Sequence, residues 1–204
     1  MSPQSFKRPV PQDAAKTKPV YQSEEGELDI NAMSPAEIAK LSPAMLAKIS
    51  PKMVARIQPK NLGSLTPKQF CTLTPKQLYS LQPKQVMHLS PKHLGSLTPK
   101  QVGCFAPKSL GSLTPKQFCS LTPKQFCAIT PKQVMHLSPK HLGGLAPKQV
   151  ACFAPKSLGS LTPKQFCSLT PKQLYALSPK HVMALNPRQV AVLTPRQVAA
   201  LPTP

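Results

Sequence analysis

Thr114-Pro115-Lys116-Gln117-Phe118-Cys119-Ser120-Leu121 is one copy of the unit whose reading decides the fold. The same frame, [Ser/Thr]-Pro-Lys-Gln-apolar-x-x-Leu, runs in register from Ser34 to Leu201. It makes 21 consecutive octads, with proline at the second place of each, from Pro35 to Pro195. A period kept that strictly means one small structural piece stacked many times. It points to an extended surface rather than a catalytic pocket.

The unit has a local physical logic. Ser or Thr before proline is a helix start, because the hydroxyl caps an orphan N–H and proline at the first helical place (N1) loses no bond. Proline pushes the residue before it into the extended region that an N-cap needs. Sixteen octads carry Ser, Thr or Asn at the cap, and twelve carry Gln at N3, where it reaches back to the cap amide as a capping box. The closing Leu113 and the N4 residue Phe118 are spaced as a hydrophobic staple. Each helix stops before the next proline restarts the pattern. Isolated helices this short are marginal in water, so stability has to come from stacking.

The stacking surface is visible in the pattern. All 21 N4 places are apolar, from Ile38 to Val198, and all 21 closing places are Leu, Ile or Phe, from Leu41 to Leu201. The fifth helical place is often small (Gly63, Gly95, Gly111, Gly143, Gly159), which suits close approach between neighbours. The sequence therefore predicts an all-α fold: an α-solenoid of 21 capped helices, each about 5–6 residues long, with two or three octads per turn. A longer repeat of 48 residues is superposed, with near copies at Gln58–Phe105, Ala106–Phe153 and Ala154–Leu201. The rival reading is a disordered chain, since proline is 27 of 204 residues. Disorder does not require an unbroken two-position apolar register.

Residues 1–33 read as a disordered leader, with Pro3, Pro9, Pro11 and Pro19, a Lys7-Arg8 pair and no apolar periodicity. The solenoid occupies 34–201, and 202–204 form a tail. The first three octads, 34–57, lack Gln at N3 and carry Lys40, Lys48 and Arg56 at N6, which marks them as an N-terminal cap.

Charge is lopsided. Residues 1–37 hold all six acids and four basic residues, whereas 38–204 hold 22 basic residues and no acid. Such a field favours polyanions. Nineteen of those cations occupy N2: Lys52, Lys60, Lys68, Lys76, Lys84, Lys92, Lys100, Lys108, Lys116, Lys124, Lys132, Lys140, Lys148, Lys156, Lys164, Lys172, Lys180, Arg188 and Arg196. A cation in the first turn opposes the helix dipole, so its recurrence calls for a reason. Anion capture at helix ends aided by lysine gives one, a ladder of phosphate subsites on one basic face. The bland account is a solvated lysine face propagated by duplication.

Other chemistry is thin. Phe70, Phe118, Phe126 and Phe166 fill apolar slots rather than interleaving with the lysines, so base stacking is not expected and binding would be backbone-directed and salt-sensitive. His93, His141 and His181 stand at N3 in place of Gln and read as capping partners rather than metal ligands, and no carboxylate lies near them or near His88 and His136. The six cysteines follow the repeat and read as small apolar fillers with free thiols. No catalytic motif is present, and no acid follows Glu37 to orient a histidine, so an enzyme is not expected and no cofactor is implied. Thirteen octads contain [Ser/Thr]-Pro-[Lys/Arg], the minimal proline-directed kinase site, although helix capping explains the motif fully.

The unit resembles the octapeptide L-[ST]-x-x-Q-[VIL]-x-x arrays of bacterial repeat proteins. Leu193-Thr194-Pro195-Arg196-Gln197-Val198-Ala199-Ala200-Leu201 is also similar to the opening of TAL-effector repeats, which begin with a short helix of L-T-P-x-Q type. The second helix and base-reading loop of those repeats have no counterpart, so no DNA-reading residue carries over. Mesothelin- and stereocilin-like proteins use S-P-x-x-L-x-x-L units, for which a superhelical solenoid is implied. Those are secreted or surface proteins, and this chain lacks their signal segment.

The sequence thus leads to a non-enzymatic scaffold that binds a polyanion, nucleic-acid backbone before others. A protein-interaction scaffold of bacterial-effector type, with incidental lysines, is the alternative; peripheral binding to acidic membranes is the weaker one. With no apolar signal segment and no apolar run near the roughly 20 residues of a membrane span, an intracellular location, cytoplasm or nucleus, is expected, with export without cleavage as the exception.

Overall fold

The structure, a computed structural model, describes residues 28–203. Each octad forms one helix of four to six residues, from α1 (Pro35–Ile38) to α21 (Pro195–Ala199), 21 in all, and no strand occurs among the described residues. The expected all-α solenoid is what the chain forms. Every helix begins at the proline, and every cap residue is extended, as at Thr114 (φ −68, ψ 153) ahead of α11 (Pro115–Cys119). Cap hydroxyls accept the N3 N–H in most octads, for example Gln117 N to Thr114 Oγ1 at 3.2 Å.

Stacking follows a fixed step. Most helices pack on the third helix after them: α3 (Pro51–Arg56) on α6 (Pro75–Ser80), α9 (Pro99–Gly103) on α12 (Pro123–Phe126), and α12 on α15 (Pro147–Val150). The N3 side chains bond carbonyls 28 to 31 residues earlier, as Gln125 does to Leu97 and Leu94. One turn therefore takes somewhat more than three octads, the larger of the two expected values with a remainder.

The apolar slots form the core. Through Leu177 every N4 and closing residue is buried, and aromatic rings meet edge to face at its centre, Phe118 on Phe126 at 5.3 Å and Phe126 on Phe153 at 5.3 Å. Burial has a direction. Ile38, Leu46 and Val54 of the first turn are 0% exposed, whereas Val190 and Val198 of the last are 38% and 45% exposed. N4 side chains face the following turn, and no turn follows the last among the described residues. The six apolar residues of the final three octads are thus only partly covered, which corrects the expectation that all 42 slots are core.

Residues 28–33, grouped by sequence with the leader, pack on the array. A 3-10 turn at Ile30–Ala32 buries Ile30, and the Asn31 amide donates to the Arg56 carbonyl at 3.1 Å while its oxygen accepts from Gln58 N at 2.7 Å. Residues 1–27 of the expected leader lie outside the described residues.

Candidate polyanion-binding surface

The chemistry at the start of each helix sets the surface. N1 is proline and has no N–H, the cap hydroxyl takes the N3 N–H, and Gln Oε1 accepts the cap N–H in all twelve glutamine octads, as at Thr122 N (2.7 Å). Little of the helix end is left to hold an anion. The expected capture by backbone amides does not fit this geometry, and the charge available is that of the N2 side chains.

Those side chains are free to act. All 19 N2 cations, from Lys52 to Arg196, are exposed. None of them faces a carboxylate from 38–204, because that stretch has no acid. The step of three helices sorts them into three columns, which coil about the axis. Lys52, Lys76, Lys100, Lys124, Lys148, Lys172 and Arg196 stack in one. The structure thus brings the lysines together within columns, and does not bring them onto the single face expected from sequence.

Two exposed tyrosines share the first column, and a cleft beside one of them bridges to a second column. Tyr79 and Tyr175, at N5 of α6 and α18 (Pro171–Tyr175), are 64% and 78% exposed, while the phenylalanines are buried. A shallow cleft of about 630 Å³ crosses the turns beside Tyr79 and includes Lys76, Lys132 and Cys104. The four phenylalanines read from sequence as filling apolar slots are buried, whereas the tyrosines stand at the fifth slot, one place after the buried N4.

The histidines at N3 behave as read. His93 Nδ1 accepts from Ser90 N at 3.1 Å, and Nε2–H donates to the Leu65 carbonyl at 2.5 Å. His141 and His181 repeat the arrangement. No cluster of three metal-ligating side chains occurs among the described residues. The cysteines are free and mostly half-buried, with Cys127 exposed. Burial raises the pKa of the Cys119 and Cys152 thiols, and Cys127 beside Cys152 adds to the second shift.

Comparison with known protein families found no matching family model, and comparison with curated proteins found no match. No helix among the described residues is long and apolar enough to cross a membrane.

Proposed function

We propose that this chain is a non-enzymatic repeat scaffold that binds a polyanion, foremost the nucleic-acid backbone, through its N2 cations and without reading sequence. The supporting observation is the exposure of all 19 cations along a stretch that itself contains no acid. Each column carries a stack of positive charge, spaced about 8–10 Å if neighbouring turns keep ordinary helix separation. Phosphates held by such contacts release counterions, so affinity falls steeply with salt.

Filter binding of DNA, RNA and acidic vesicles across rising salt tests this reading. A steep loss of nucleic-acid affinity between 50 and 200 mM salt, on the order of 10³-fold or more, is expected for six or more phosphate contacts. Absence of binding at low salt removes the reading and leaves a protein-interaction scaffold. The exposed Met87, Met135 and Met183, which fall in another column, favour that second reading. Vesicle binding without nucleic-acid binding would point to a membrane surface.

A further inference from the structure

One pair of side chains is not used by the stacking or by the cationic columns. At five of the six N5 glycines an added Cβ would meet the N6 residue of the third octad after it, 25 residues on. A Cβ built on Gly103 would stand 4.0 Å from the Cβ of Ala128, and one built on Gly159 would stand 3.8 Å from that of Ala184. Disulfides need Cβ atoms about 3.5–4.5 Å apart. In the same register the Sγ of Cys119 lies 3.2 Å from a Cβ built on Gly144, close to the separation of about 3 Å across a disulfide. Reading this 25-residue pairing along the array, only Cys127 over Cys152 places a cysteine at both positions. The helices they follow, α12 and α15, pack together, and Cys127 lies near enough to Cys152 to raise its thiol pKa.

We propose that Cys127 and Cys152 form a thiol modification site, a dithiol that a low-molecular-weight disulfide converts into a cross-link between neighbouring turns. Cys127, the exposed member, attacks one sulfur of the small disulfide as its thiolate. That step releases one small thiolate and leaves a mixed disulfide on Cys127. The Cys152 thiolate then attacks the Cys127 sulfur and displaces the second small thiolate. The two protons leave with the two small thiols, so two protein thiols and one small disulfide give one protein disulfide and two small thiols. The half-buried Cys152 is the resolving partner. Its burial slows direct reaction with the reagent without hindering attack on a sulfur already beside it.

The site is independent of polyanion binding, and its test needs no nucleic acid. The full chain is incubated with oxidised glutathione, alkylated and cut with trypsin. Cys127 falls in the peptide 125–132 and Cys152 in 149–156, each of unique sequence, whereas the peptides of Cys119 and Cys167 are identical. The expected product is 125–132 joined to 149–156, with the thermal midpoint raised by about 5 °C or more and restored by dithiothreitol. Cys152→Ser should retain glutathione on Cys127 and show no cross-link. Separate glutathione adducts on both cysteines of the unaltered chain, no reaction at either, or cross-links spread over the other four cysteines would each overturn the proposal.

Discussion

An N3 glutamine does two jobs with one amide. In the octad from Thr122 to Ile129, Gln125 Oε1 accepts the cap N–H of Thr122 at 2.7 Å, while Nε2 donates to the carbonyls of Leu94 at 2.8 Å and Leu97 at 2.7 Å. Both ends are satisfied by only one orientation of the amide. Gln125 is buried, so loss of the amide strands a donor and two acceptors away from water. Gln125→Leu should cost about 2–4 kcal/mol in urea denaturation. Gln125→Glu should cost more near neutral pH, since a carboxylate faces two carbonyls. The charged form is the disfavoured one, so the folded-state carboxyl pKa is raised. The variant should therefore regain stability as pH falls through that raised pKa and lose it as pH rises, read from the denaturation midpoint across pH. His141→Gln should hold stability within about 1 kcal/mol, because Gln makes the same bonds elsewhere, whereas His141→Ala should lose about 2 kcal/mol.

At the scale of the helix, contact between turns decides which small residues matter. A Cβ on Gly111 would collide with the His136 backbone, and one on Gly159 with that of Ala184, while one on Gly95 meets nothing within 4 Å. Gly111→Ala should destabilise by about 1–3 kcal/mol. Gly95→Ala should stabilise by up to about 1 kcal/mol through the unfolded chain, and paired thermal melts separate the two. The caps, the helix lengths and the two apolar slots were legible because each depends on residues within one octad. The second bond of each glutamine was not, because its partners lie 28 to 31 residues away and leave no mark on the local frame. A trace existed all the same. Glu37, Met45 and Met53 occupy N3 in octads with no earlier turn of helices among the described residues, Asn61 reaches the Ile30 carbonyl at 3.4 Å, and Gln begins at position 69, where carbonyls of α1 first come within reach. Where N3 is Ser109 or Ser157, the hydroxyl goes to the earlier turn (2.6 and 2.7 Å) and the cap is alanine.

For the whole molecule, the arrangement of charge was the part least visible in sequence. An identical lysine in every octad looks like a single ladder on paper. A step of somewhat less than a third of a turn per octad divides that ladder among three columns. Replacing the lysines of one column, Lys76, Lys100, Lys124 and Lys148, with Gln should remove a contiguous track. The same number of changes scattered over three columns should weaken binding less, and competition titrations of the two variants at low salt compare them directly. Equal losses would mean that the ligand responds to total charge and not to a track.

The remainder in the helical step has a geometric outcome for any bound strand. Six octads fall short of two full revolutions, so each 48-residue copy presents its groups rotated about the axis relative to the copy before. The tracks coil like stripes on a pole. A stiff straight rod laid against one stripe departs from it after a few contacts, whereas a pliable chain follows it from end to end.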